Sequence, residues 1–205
     1  PEGIALFAVP AATRGVSLTG VPTMDQTRRL AEIDLSDVRV PAANQLGDDG
    51  QGGAALRKTL DLAAVALAAE QVGGAQRCLD MAVGYAKERV QFGRPIGSFQ
   101  AIKHKCADMM MAVESARSAA WYAAWALDSD ADDARLAART AKAMAAEALM
   151  LCAAENIQIH GGIGFSWEHD AHLYFKRAQS TLTLLGSPRM HREAVALRLL
   201  GAPCS

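Results

Sequence analysis

The stretch Lys87-Glu88-Arg89-Val90-Gln91-Phe92-Gly93-Arg94-Pro95-Ile96-Gly97-Ser98-Phe99-Gln100 separates two long apolar patterns of helical period. It therefore limits what the chain can become. Gly93 and Pro95 stop one helix, and Phe99 with Gln100 starts the next. Between the two lie arginines, glycines, a proline and two aromatic rings. Such a turn holds a guanidinium, backbone amides and ring faces in one place. That suits a planar, phosphate-bearing ligand better than a plain connector.

Before this pivot the chain changes character once. Pro1 to about Pro41 reads as β: Ile4, Leu6 and Val9 form a short apolar run closed by Pro10, and Val16 and Leu18 alternate with Ser17 and Thr19. The segment Leu30 to Val40 has a similar alternation in its later part, and Pro and Gly punctuate each piece. Short strands without partners make part of a sheet or barrel. Gly47 to Gly53 is a loop. From about Ala54 to Arg89 the pattern is helical, and Gly73-Gly74 interrupts it to admit another backbone.

After the pivot, Phe99, Ile102, Cys106, Met109, Val113 and Ala116 form one helical stripe, extended by Trp121, Tyr122 and Trp125. Asp128 to Asp133 is a loop with an N-cap. A third helix runs from about Ala134 to Ile159 through Leu136, Met144, Leu149, Leu151 and Ile157, and Gly161-Gly162-Ile163-Gly164 stops it. A short helix from about Glu168 to Gln179 and a last one from near Pro188 complete the chain. Long helices with short loops make an antiparallel bundle. The expected fold is α+β and mainly α: a partial β-domain over residues 1–50, then a four-helix bundle over 51–205. The start at Pro1, inside a strand pattern, points to a piece of a longer protein.

The chain has 205 residues, of which 51% are hydrophobic and 5% aromatic, with a net charge of −1. Alanine and leucine dominate, which favours helices. The charge balance gives no reason to expect nucleic acid or an anionic membrane as partner. No apolar run is long and charge-free enough for a membrane span, and no signal-peptide pattern is visible in these residues. Cys78, Cys106, Cys152 and Cys204 show no paired spacing and read as free thiols of a cytoplasmic protein.

Spacing alone makes Arg89, Gln91 and Phe92 a helix end with a dipole-favoured cation and a core ring. Gln158 to Phe165 reads as a C-cap with a tight turn. It lacks the strand–loop–helix order of a Rossmann site. His169 and His172, beside Glu168 and Asp170, lack a third ligand at fixed spacing, so no metal site is expected. His104 and His191 read as exposed helix positions. Asp61 and Glu70 lie in a very apolar stretch. Each is either buried, with its pKa shifted upward, or at a bundle edge facing solvent or a cation.

Several motifs in order along the chain resemble the acyl-CoA dehydrogenase family. They are Asp37-Val38-Arg39-Val40-Pro41, Leu46-Gly47 and Gly50-Gln51-Gly52, then Ala68 to Arg77, Tyr85 to Ile96, Phe99-Gln100 with Ala107-Asp108-Met109, and Gln158 to Phe165. The resemblance implies the end of a middle β-domain plus the complete C-terminal bundle. It also implies FAD as cofactor and assembly as a dimer of dimers. The implied reaction is α,β-dehydrogenation of an acyl-CoA, with electron-transfer flavoprotein or a similar acceptor. By the same resemblance Arg89 meets the FAD pyrophosphate across a dimer interface. Gln91, Phe92, Phe99 and Gln100 adjoin it, and Gln158, Gly161 and Gly162 lie along the ADP portion.

The family's catalytic base has no counterpart. Leu185 occupies one base position, in Leu184-Leu185-Gly186-Ser187-Pro188. Ala63 occupies the other, and Ala64 stands where the family has a pocket arginine. No catalytic residue is therefore assigned. The expectation is a subunit that completes a partner's FAD site, of the kind known for bulky or steroid-derived thioesters. The alternatives are a relocated carboxylate base (Asp61, Glu70 or Glu168) and a flavin-free scaffold.

Overall fold

The computed structural model describes residues 3–201, and Cys204 lies outside them. The chain divides into two compact units, Pro1–Leu60 and Asp61–Ser205.

In the first unit, strands β1 (Leu6–Phe7) and β4 (Gln45–Leu46) pair antiparallel. Asn44 Nδ2 donates to the Ala8 carbonyl at 2.9 Å and reinforces the pair. Strands β2 (Val16–Val21) and β3 (Leu30–Leu35) form a hairpin with Val16 opposite Leu35. β3 stops at Leu35, so the expected strand character of Val38 and Val40 is not realised. Gly15 explains the closure: at φ +90 its Cβ would stand 2.1 Å from the Ser36 carbonyl oxygen. Only glycine lets Ser36 N–H reach the Gly15 carbonyl at 2.9 Å. Leu18, Ile33 and Leu35 remain more than half exposed, as expected of a sheet with one layer.

The second unit holds most of α1 (Gly52–Glu88), then α2 (Gln100–Asp128), α3 (Ala134–His160), α4 (Ala171–Thr183) and α5 (Pro188–Leu200). Between α1 and α2 stands a two-residue hairpin of β5 (Val90–Gln91) and β6 (Arg94–Pro95). α3 packs against α2, α4 and α5. The core is an alanine seam: Ala75, Ala82, Ala116, Ala123, Ala138, Ala141 and Ala145 are fully buried. Small side chains bring helix axes close. Met109, Val113 and Leu149 fill the wider gaps.

Four expectations about the helices are corrected. Trp121, Tyr122 and Trp125 do not extend the buried stripe and are 73%, 47% and 57% exposed. The stripe continues instead through Ala120, Ala123 and Ala126, because steps of three and four from Met109 land there. Gly74 admits a side chain and not a backbone: a Cβ there would lie 3.0 Å from Leu149 Cδ1, while Gly73 has open space. Asp133 precedes α3 without capping it, because its carboxylate accepts from the Tyr122 hydroxyl at 2.7 Å. The fourth helix starts at Ala171, three residues later than its pattern suggests. α5 begins as its sequence dictates, with Ser187 Oγ accepting from Met190 N–H and Pro188 in the first turn.

Candidate functional site

The β5–β6 hairpin presents the first candidate segment. A two-residue turn between twisted strands needs left-handed backbone at both corners. Phe92 and Gly93 supply it, with φ of 53° and 74°. A phenylalanine in this conformation is strained, and its ring is 91% exposed. It meets Phe99 edge-on at 6.1 Å, and the Arg94 guanidinium lies 4.1 Å from the centre of the Phe99 ring. Arg89, Gln91 and Gln100 are all exposed. Arg89 N–H still donates to the Tyr85 carbonyl at 2.8 Å, so the arginine continues directly from the last turn of α1.

The second segment ends α3. Gln158 is exposed in its last turn. Gly161 closes the helix at φ 63°, with its N–H directed at the Ile157 and Gln158 carbonyls. The positive φ requires glycine. Nothing lies within 4 Å of a Cβ placed on Gly161 or Gly162, so backbone at both is open to a ligand.

The two segments meet at one end of the bundle. The Tyr85 ring stacks on His160 with centroids 4.3 Å apart at 27°. Tyr85 is one helical turn before Arg89, and His160 is two residues after Gln158. This contact brings the end of α1, from which the Arg89 segment continues, next to the end of α3, which carries Gln158 and is followed by Gly161 and Gly162. One free guanidinium, amide side chains and uncovered glycine backbone suit a diphosphate, and the exposed rings suit a planar group beside it.

The two positions at which the resemblance implies a base, Leu185 and Ala63, are different in kind. Leu185 has φ of 59°, and its carbonyl accepts a hydrogen bond from His191 Nε2 at 3.0 Å. Ala63 is half-buried on α1. Neither side chain takes a proton. Asp61 resolves towards the buried alternative: burial raises its carboxyl pKa, and Arg135, Arg139 and His191 oppose the shift. Arg135 Nε lies 3.7 Å from its Oδ2. Glu70 resolves the other way, exposed at an edge and paired with Arg177 at 2.6 Å. Glu168 is exposed.

His169 Nδ1 accepts from Ala171 N–H at 3.1 Å, and His172 stands edge-on to Trp167 at 4.7 Å. Among the described residues, no three His, Cys, Asp or Glu side chains come together in a way that would hold a metal ion. Nor is any described helix long and apolar enough to cross a membrane.

Two residues escaped the sequence reading. His191 is only 5% exposed, against the expectation of a surface histidine. The Ser187–Pro188 start of α5 fixes its register and turns His191 inward while Arg192 faces out. His160 was hidden in a glycine motif, although its step from Gln158 placed it one position before the cap.

A small antiparallel β unit followed in sequence by packed long helices, with two glycine-containing segments at one end, defines the class: a mainly α domain protein. The model of the acyl-CoA dehydrogenase C-terminal domain matches residues 50–200. Acyl-CoA dehydrogenase IpdE2 of Mycolicibacterium smegmatis is 49% identical over 168 residues, covering 82% of this chain and 48% of that protein. The structure of butyryl-CoA dehydrogenase from Megasphaera elsdenii superposes with a TM-score of 0.91 at 33% identity, over 97% of this chain and 52% of that one. The ChsE4–ChsE5 complex from Mycobacterium tuberculosis gives a TM-score of 0.88 at 32% identity, over 98% and 53%. The chain belongs to the acyl-CoA dehydrogenase family. It spans about half the length of the curated relatives it matches.

Proposed function

We propose that this chain is the C-terminal half of a subunit in an FAD-dependent acyl-CoA dehydrogenase, and that it completes the FAD site of a partner subunit without supplying a base. One observation carries the reading. Arg89, Gln91, Gln100 and Gln158 are exposed, and Leu185 and Ala63, where the resemblance implies the base, take no proton.

Arg89 holds the pyrophosphate by charge-assisted hydrogen bonds. Gln158 donates or accepts at its edge, and Gly161 and Gly162 let backbone approach it. Phe92 and Phe99 would offer ring faces beside it. Bound FAD supplies the hydride acceptor of the dehydrogenation. Removal of the α-proton needs a positioned base, which the partner provides. The substrate is an acyl-CoA thioester of bulky, steroid-derived or fatty-acid type, with electron-transfer flavoprotein or a similar protein as acceptor. The likeness to a two-chain complex supports a hetero-oligomer, and free Cys78, Cys106 and Cys152 fit a cytoplasmic setting.

The test is bound flavin per chain, in the full-length protein purified alone and co-expressed with a candidate dehydrogenase partner. The reading expects no flavin alone and one per pair in the complex. One FAD per chain in the lone protein overturns it. That result favours a relocated base, for which Asp61 is the best placed of the three carboxylates. It is half-buried, and burial raises its carboxyl pKa.

A further inference from the structure

The ring of His160 makes two ring contacts. Tyr85 stacks on it with centroids 4.3 Å apart, and His169 meets it tilted at 4.3 Å and 45°. His160 Nδ1 is 2.8 Å from the Asn156 carbonyl. A carbonyl only accepts, so Nδ1 carries the proton and the ring's orientation is fixed. Burial holds the His160 pKa below its usual value, opposed by the Asn156 contact and aided by His169. His169 is itself anchored, because its Nδ1 accepts from Ala171 N–H. Three segments distant in sequence therefore meet in one stack: the last turn of α1, the last turn of α3 and the loop leading into α4.

Helix ends fray, and a diphosphate gripped by two of them needs their spacing fixed. Arg89 continues from Tyr85 by the N–H to carbonyl bond at 2.8 Å. Gly161 follows His160 directly. Gly164 presses back on the stack, since a Cβ there would lie 2.8 Å from His160 Cβ. No other ring contact between described residues ties the α1 end to the α3 end.

We propose that Tyr85, His160 and His169 form a clasp that sets the distance between the Arg89 segment and the Gln158–Gly162 segment, making His160 a positioning residue for FAD. This rests on the reading that these segments grip the cofactor. The clasp requires a flat ring at 160, so phenylalanine retains it and alanine abolishes it.

The experiment measures FAD affinity, by flavin fluorescence, of the full-length protein in complex with its partner. Four variants are compared: His160→Ala, His160→Phe, Arg89→Ala and a core control, Val113→Ala, whose side chain is fully buried in α2. His160→Ala is expected to weaken FAD binding about tenfold, the scale of losing two ring contacts. His160→Phe should stay within about threefold, keeping the ring contacts. Val113→Ala should lower thermal stability and leave affinity unchanged well below its melting temperature. His160→Ala with wild-type affinity overturns the clasp while Arg89→Ala still weakens binding. Equal losses in His160→Ala and His160→Phe also overturn it, assigning the effect to the Asn156 hydrogen bond. Unchanged affinity in Arg89→Ala overturns the underlying reading, and the clasp with it.

Discussion

His191 Nε2 stands 3.0 Å from the carbonyl oxygen of Leu185. The first turn of α5 thus holds the turn that carries Leu185. The carbonyl can only accept, so Nε2 is the protonated nitrogen, and Nδ1 is buried without a partner. Burial is the main cause of a lowered His191 pKa. Lys142 and Arg139 add to the effect, and the Leu185 contact and Asp61 oppose it. A histidine with a lowered folded-state pKa is protonated more readily when unfolded. Its stabilisation is complete above the unfolded pKa, about 6.5, and is lost as pH falls towards the folded value. His160 acts in the same direction. Urea midpoints should therefore fall between pH 7.5 and pH 5.5. In His191→Gln, where an amide can still reach the Leu185 carbonyl, the fall should be smaller. An equal pH dependence in the variant would show that His191 does not titrate in this way.

Gly73 and Gly74 are adjacent in α1 and should respond oppositely to alanine. At Gly73 an added methyl meets nothing within 4 Å. Gly73→Ala should stabilise by up to about 1 kcal/mol through helix propensity. At Gly74 the methyl would come within 3.0 Å of Leu149 Cδ1, and Leu149 is 1% exposed with little freedom to move. Overpacking of about 1–3 kcal/mol should outweigh the propensity gain. Equilibrium urea unfolding of the two variants checks both signs, and a stabilised Gly74→Ala would mean that Leu149 has another rotamer available.

The same pair of glycines shows what sequence can and cannot convey. Their presence in a helix signalled a close approach, because nothing else justifies the conformational cost. The partner was beyond reach of a one-dimensional pattern: Leu149 lies on another helix, and which rows interdigitate is set by three-dimensional packing. The pivot was legible because Gly93 and Pro95 act locally. The alanine core was harder to read, since alanine recurs on every face of α3. Trp121 and Trp125 were misplaced because large aromatic rings weigh heavily in a hydrophobic pattern. The candidate surface was legible from the motifs of the family and not from spacing. Its clasp was not, because Tyr85 and His160 are neighbours only in the fold.

Lys142 is fully buried, and its Nζ donates to the Thr181 carbonyl at 3.2 Å. The same carbonyl accepts from Gln71 Nε2 at 3.1 Å. Burial lowers the lysine pKa to about 8. The unfolded chain holds that proton up to about 10.4, so stability should rise as pH increases from 8 to 10. Lys142→Met should remove this rise and, by removing a buried charge of similar volume, leave stability at pH 7 unchanged or higher. Lys142→Glu should destabilise by about 3 kcal/mol or more, placing an anion where only carbonyl and amide groups wait. Thermal melts of the three proteins at pH 7 and pH 9.5 decide the matter. A wild-type rise that persists in Lys142→Met would assign it to other groups.

Trp121, Trp125 and Met111 stand exposed on α2, at 73%, 57% and 70%. Beside them runs a groove of about 310 Å³ between α1 and α2, lined by Val65, Ala69, Val72 and Ala120, with Arg117 as its one charged residue. Exposed rings next to an apolar groove mark an association surface. The chain should therefore self-associate in solution, by sedimentation at micromolar concentration. Trp121→Glu with Trp125→Glu should shift it to monomer, since each ring buried in a contact contributes about 1–3 kcal/mol. The helix itself should be unaffected, because its buried face runs through Ala120, Ala123 and Ala126 and both tryptophans are exposed. Unchanged circular dichroism with a monomeric double variant would assign the interface to this face. A wild-type chain that sediments as a monomer at every concentration would reject it.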